Sequence, residues 1–77
     1  MARVTKIERT RLERNSVHAP VECTYTVFDN ADGNKYLQFD TYGSPRRAIQ
    51  GKKSQSIQFD KESAKVVFEI LKSEYHF

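Results

Sequence analysis

Three short segments of this chain alternate apolar and polar residues with period two, and from Asp60 the pattern switches abruptly to the period of a helix. That succession leaves few folds open to 77 residues. Glu22–Phe28 puts Cys23, Tyr25 and Val27 on one strand face and Thr24, Thr26 and Phe28 on the other. Lys35–Tyr42 sets Leu37, Phe39 and Thr41 against Tyr36, Gln38, Asp40 and Tyr42. Ser54–Phe59 sets Gln55, Ile57 and Phe59 against Ser54, Ser56 and Gln58, so Ile57 and Phe59 are expected to face the core. Asp32-Gly33, within Asp29–Asn34, supplies the turn of an antiparallel hairpin between the first two segments. Asp60 then precedes a helical pattern as a candidate N-cap, its carboxylate placed to accept from free amides of the first turn. Glu62 suits the positive end of the helix dipole. Ala64, Val67, Phe68, Leu71 and Tyr75 form one apolar stripe on a helix of about 14 residues, and Val66 and Ile70 widen it to a flank.

The N-terminal residues are less regular. Val4, Thr5, Ile7 and Thr10 favour strand, but Ile7 shares a strand face with neither Val4 nor Leu12. Residues 1–14 are therefore expected as a basic arm or edge strand, and Asn15–Pro20 as a loop. The expected fold is α+β, one domain over residues 1–77. A small antiparallel sheet of about four strands, with residues 22–59 as its main part, precedes one C-terminal helix, residues 60–75, packed on one face.

A chain this small buries only about 60–65% of its unfolded surface, and such domains gain stability from staples or self-association. Cys23 is the single cysteine, so no intrachain disulfide forms; its mid-strand position fits a small buried hydrophobe. His18 and His76 lie far apart with no cysteine near either, so no zinc site is expected. Val66, Ile70 and Phe77 extend the apolar helix surface beyond what one small sheet covers, which predicts a homodimer. The sequence carries no apolar run long enough for a membrane span, and its first residues lack the apolar stretch of a signal peptide. A soluble, cytoplasmic protein is expected.

Charge is segregated. The net charge is +3, yet Arg46-Arg47-Ala48-Ile49-Gln50-Gly51-Lys52-Lys53 alone holds four cations and no acid. Residues 15–45 hold one lysine against four acids, and residues 1–14 five cations against two acids. A basic loop between two strands points to a polyanion, because cations that neutralise phosphates release condensed counterions. The alternative is a solvated connector. Exposed aromatics beside cations add to the first reading: Tyr36 and Tyr42 share the strand face opposite Leu37 and Phe39, with Gln38 between them. Cross-strand pairing is the structural alternative for those rings.

Catalysis is harder to assemble. No histidine is spaced to activate Cys23, and no glycine-rich phosphate loop is present, since Gly33, Gly43 and Gly51 are isolated. Asp29, Asn30, Asp32 and Asn34 look like oxygen ligands but lack the later glutamate of a calcium loop; a turn accounts for them. No enzyme activity, cofactor, metal or small-molecule substrate is expected.

From Lys35 to about Leu71 the chain resembles the single-stranded-DNA-binding fold of the transcriptional coactivator positive cofactor four and its bacterial relatives. The resemblance lies in Tyr36-Leu37-Gln38-Phe39-Asp40-Thr41-Tyr42, in Gln50-Gly51-Lys52-Lys53-Ser54-Gln55-Ser56-Ile57-Gln58-Phe59, and in the helix from Asp60. It implies dimers whose curved sheets hold single strands through basic and aromatic side chains. Lys52 and Lys53 match the basic entry of the last strand, and Tyr42 the strand-ending aromatic. The loop before Gly51 differs from that family in length and content, and the arginine-rich N-terminal segment has no clear counterpart there. The chain also resembles short bacterial proteins sometimes labelled methionyl-tRNA formyltransferase. That chemistry needs a folate-binding α/β domain, for which this chain is too short.

These readings combine into a non-enzymatic nucleic-acid-binding module, preferably for single strands. Arg46, Arg47, Lys52, Lys53, Arg9, Arg11 and Arg14 are expected on phosphates, and Tyr36 and Tyr42 on bases. The alternative is a protein-interaction or accessory module, for example phage- or defence-associated.

Overall fold

The computed structural model describes residues 1–43 and 53–77. Four strands are followed by one helix: β1 (Ala2–Val4), β2 (Cys23–Asp29), β3 (Lys35–Tyr42), β4 (Lys53–Phe59) and α1 (Lys61–Tyr75). They form one sheet in the order β1-β4-β3-β2. The α+β arrangement with a C-terminal helix is as expected, with one difference in the sheet. β2, β3 and β4 are antiparallel neighbours, but β1 joins β4 in parallel, so the sheet is mixed. A parallel neighbour needs a crossover rather than a hairpin. Residues 5–22, which hold no regular structure, give the chain the length to return from β1 to the far edge. The basic arm therefore contributes three strand residues, and the rest of it runs exposed, with Ile7 half-buried.

The β2–β3 hairpin closes as its residues dictate. Gly33 takes a positive φ of 80°, the conformation that favours glycine. The Asn30 carboxamide accepts from the Asp32 and Asn34 amides, both at 3.0 Å. The register then pairs Tyr25 with Phe39 and Val27 with Leu37, and across the next ladder Phe39 with Ile57 and Leu37 with Phe59. Ala2 and Val4 extend the same face beside Ile57 and Phe59. One side of the sheet is thus apolar throughout its centre. At its far end the β3–β4 register slips between Thr41 and Tyr42, leaving Ser54 as the extra residue.

Helix α1 starts where the sequence indicates. Asp60 is the N-cap: its side chain accepts from the Ser63 amide at 2.8 Å, and the Ser63 hydroxyl accepts from the Asp60 amide at 3.0 Å. This reciprocal capping box satisfies two otherwise free donors. Helix and sheet touch sparsely, through β3 and β4, and near the helix start Ala64, Val27, Leu37 and Phe59 line one groove. Beyond it Val67 is half-buried and the rest of the stripe is open: Phe68 is 58% exposed, Leu71 40% and Tyr75 67%.

Among the described residues no apolar side chain is fully buried. Leu37, Phe39 and Phe59 are half-buried, while Ile57, expected in a core, is exposed. Cys23 is exposed too, contrary to the buried hydrophobe expected. It sits on edge strand β2, where every residue is exposed because no second layer reaches that far. The chain is correspondingly open. Its radius of gyration is 14.9 Å, against about 11–12 Å for a compact chain of this length.

Candidate functional site

The polar face of the sheet carries the most organised chemistry. Period-two alternation places three cross-strand rows on it. Phe28 and Tyr36 are partners in the first row; Thr26, Gln38, Gln58 and Arg3 span all four strands in the second; Thr24, Asp40 and Ser56 form the third. Lys53 and Tyr42 follow at the bulged end.

Asp40 organises the centre. It is 4% exposed and is one of two buried polar residues among those described, Ser63 being the other. The Ser56 hydroxyl and the Gln38 amide both donate to Oδ1, the latter at 2.9 Å, and Lys53 Nζ lies 3.5 Å from Oδ2. The Ser56 hydrogen bond is the largest influence holding the Asp40 carboxyl below its ordinary value. Burial opposes it, and Gln38 and Lys53 reinforce it.

The ionised carboxylate accepts only, so Gln38 must turn its NH₂ group toward it. That leaves Gln38 Oε1 to accept from Gln58 Nε2 at 2.7 Å. Gln58 is oriented in turn, and among the described residues its Oε1 and second N–H have no side-chain partner. The relay Gln58→Gln38→Asp40 thus fixes the amides of two half-buried side chains on an otherwise open surface. Arg3, Lys53, Gln38, Ser56 and Gln58 line a shallow depression there.

Aromatic rings border the relay. Phe28 and Tyr36 stack with centroids 5.7 Å apart and planes 29° apart, so Tyr36 does form the cross-strand pair weighed as its alternative. Asn30 Nδ2 donates to Tyr36 Oη at 3.4 Å. Tyr42 Oη and Thr24 Oγ1 share a hydrogen bond of 2.9 Å. Both tyrosines lie on the face opposite Leu37 and Phe39, as the alternation requires.

The other sequence-predicted residues are scattered. Lys53 reaches the site, where it pairs with Asp40. Arg46, Arg47 and Lys52 lie outside the described residues. Arg9 pairs with Glu74 at 3.4 Å, beside the helix flank. Arg11 and Arg14 are exposed in the irregular segment between β1 and β2. Arg3, Ser56 and Gln58 are additions. Arg3 escaped notice because only three residues around it alternate, too few for a period-two signal. Period-two alternation puts Gln58 and Ser56 on this face, but only the register shows that they meet Gln38 and Asp40.

Among the described residues no group of three or more His, Cys, Asp or Glu side chains could hold a metal ion. No described helix is long and apolar enough to cross a membrane. No protein-family model matches the chain, and no curated protein or solved structure matches it either.

Proposed function

We propose that the polar face of the sheet, with the adjoining basic loop, binds single-stranded nucleic acid without catalysing a reaction. The observation that carries this reading is the oriented amide pair Gln38–Gln58, set between two tyrosines and bordered by Arg3 and Lys53. Unpaired bases offer a π-face and hydrogen-bonding edges, and aromatic rings with fixed amides complement both. Phosphates fall to the cations. Lys52 immediately precedes Lys53, and Arg46 and Arg47 lie between β3 and β4 in the chain, so this basic segment is tethered to the bulged end of the face. Arg11 and Arg14 add charge from the arm, and Arg9 does so from its pair with Glu74.

The test is fluorescence anisotropy of labelled poly-dT and poly-U titrated across salt. Each phosphate neutralised on a single strand contributes about −0.7 to the slope of log K against log salt, so four engaged loop cations give about −3. Arg46→Ala with Lys52→Ala makes the slope shallower and weakens binding evenly across sequences. Tyr42→Ala leaves the slope and costs about 1–3 kcal/mol of affinity. Absence of binding below ~100 μM at low salt overturns the reading, since even non-specific binders reach that range.

A second reading is a protein-interaction or accessory module. The exposed apolar side chains of sheet and helix favour it. The basic loop then docks on an acidic protein surface, and the oligonucleotide titration is flat.

A further inference from the structure

We infer that the polar face selects keto bases (guanine, thymine and uracil) over amino bases, and that Gln58 makes the selection. The inference rests on the nucleic-acid reading above and adds what the bound strand must offer.

The first argument is polarity. Asp40 is buried, and its Oδ1 accepts from the Ser56 hydroxyl and from Gln38 Nε2, the latter at 2.9 Å. A carboxylate accepts only, so the Gln38 amide has one orientation, and its Oε1 accepts from Gln58 Nε2 at 2.7 Å. Gln58 therefore has one orientation as well. Its Nε2 faces Gln38, and its Oε1 lies on the other flank of the amide. An amide free to turn over presents acceptor and donor in either order, and every base offers it a matching edge. An amide held in one order matches one set of bases only. Guanine, thymine and uracil set a carbonyl oxygen beside a ring N–H on the Watson–Crick edge. Adenine and cytosine set an amino group beside a bare ring nitrogen, which is the reverse order.

The second argument decides which set is taken. Gln58 shares a shallow depression with Arg3, Lys53, Gln38 and Ser56, and Arg3 is its register partner on β1. Arg3 and Lys53 are exposed. The Asp40 carboxylate lies beneath the row, engaged by Ser56, Gln38 and Lys53. The rim of the depression is thus cationic. A carbonyl oxygen is drawn to such a rim and accepts a further hydrogen bond from Arg3 or Lys53, whereas an amino group brings hydrogens that the cations repel. Gln58 Oε1 then accepts from the ring N–H. Tyr36 and Tyr42 stack on any base, so they add affinity without choosing.

Fluorescence anisotropy of the intact chain with labelled deoxyuridine and deoxycytidine oligomers of one length tests this. The two strands differ only in the base edge at issue. The parent is expected to bind the uracil strand at least about fivefold tighter, the lower end of what one bidentate contact discriminates, with one salt slope for both. Gln58→Met keeps the side-chain length and removes the amide, and is expected to lose the preference through weaker uracil binding. Gln38→Met leaves the Gln58 amide in place but frees it to turn over, and is expected to lose the preference too. A change that only loosened the fold would weaken both strands together and leave their ratio. Equal binding of the two strands by the parent, or a preference for cytosine, overturns the inference and leaves the nucleic-acid reading standing. So does a Gln58→Met chain that keeps the parent's ratio. Binding to neither strand below ~100 μM at low salt overturns both. The parent comparison needs no variant, so it decides even where a substitution prevents folding.

Discussion

On the polar face, each side chain near the centre of the sheet has a partner within its own chain: Gln58 with Gln38, Gln38 with Asp40, Asp40 with Ser56 and Lys53, Tyr42 with Thr24. On the apolar face, one residue away along each strand, Tyr25, Val27 and Ile57 remain exposed. The difference follows from the kind of interaction. Hydrogen bonds are directional and short-ranged, so strand register alone can satisfy a polar row. Apolar burial needs area, and area needs a second layer. Here the helix supplies that layer only beside Leu37 and Phe59, which are half-buried.

Adjacent residues on β3 sharpen the contrast most. Phe39 contacts Tyr25 and Phe59 with ring centroids 6.5 and 6.1 Å apart. Phe39→Ala is expected to lower stability by about 2 kcal/mol, less than a fully packed aromatic would lose because Phe39 is half-buried. Gln38→Ala interrupts the relay but leaves Asp40 its Ser56 and Lys53 partners, and is expected to cost about 1 kcal/mol. Urea midpoints at one fixed protein concentration compare them. Equal losses would mean that the two faces contribute alike, and the comparison would fail.

Which parts of this arrangement were legible in the sequence follows the same division. β3 was readable to its end residues because Lys35–Tyr42 alternates without a break between turn signals. Asp60 was readable as a cap, since it stands between two different periods. Face membership of Tyr36, Gln38 and Tyr42 came directly from alternation. The parallel pairing of β1 was not readable, because three residues carry no period and the partner strand lies more than fifty residues away. The relay was half visible: its residues share a face by pattern, but contact depends on register. The expectation of buried Cys23 and Ile57 assumed that the helix spans the apolar face, and helix direction is not written in either period.

A smaller effect separates stability from binding at the point where sheet and helix meet. Asp60→Ala removes the acceptor of the Ser63 amide and the carboxylate at the helix start. The expected loss is about 5 °C in Tm for a domain of this size. Oligonucleotide affinity and its salt slope are expected to stay unchanged, because the cap serves the helix and not the polar face. An unchanged Tm would show that the capping box contributes nothing to the folded chain.

The smallest effect tests whether the relay needs its charge. Asp40 and Asp60 both have folded-state values below the ordinary 3.8. As the pH falls, the unfolded chain takes up these protons first. The stability they contribute is therefore full above about pH 5 and drains away as the pH drops through the lowered values. Asp40→Asn keeps the outline of the side chain but presents an NH₂ group where Ser56 and Gln38 donate. At neutral pH the variant is expected to be less stable than the parent. Toward about pH 3 the two midpoint curves are expected to converge, because the parent is losing the same charge by protonation. The residual acid sensitivity of the variant belongs to Asp60 and the other carboxylates. If the gap between the curves is as wide at low pH as at neutral pH, the fold does not hold Asp40 ionised. Gln38 would then have no fixed acceptor, and the orientation of Gln58 would lose its cause.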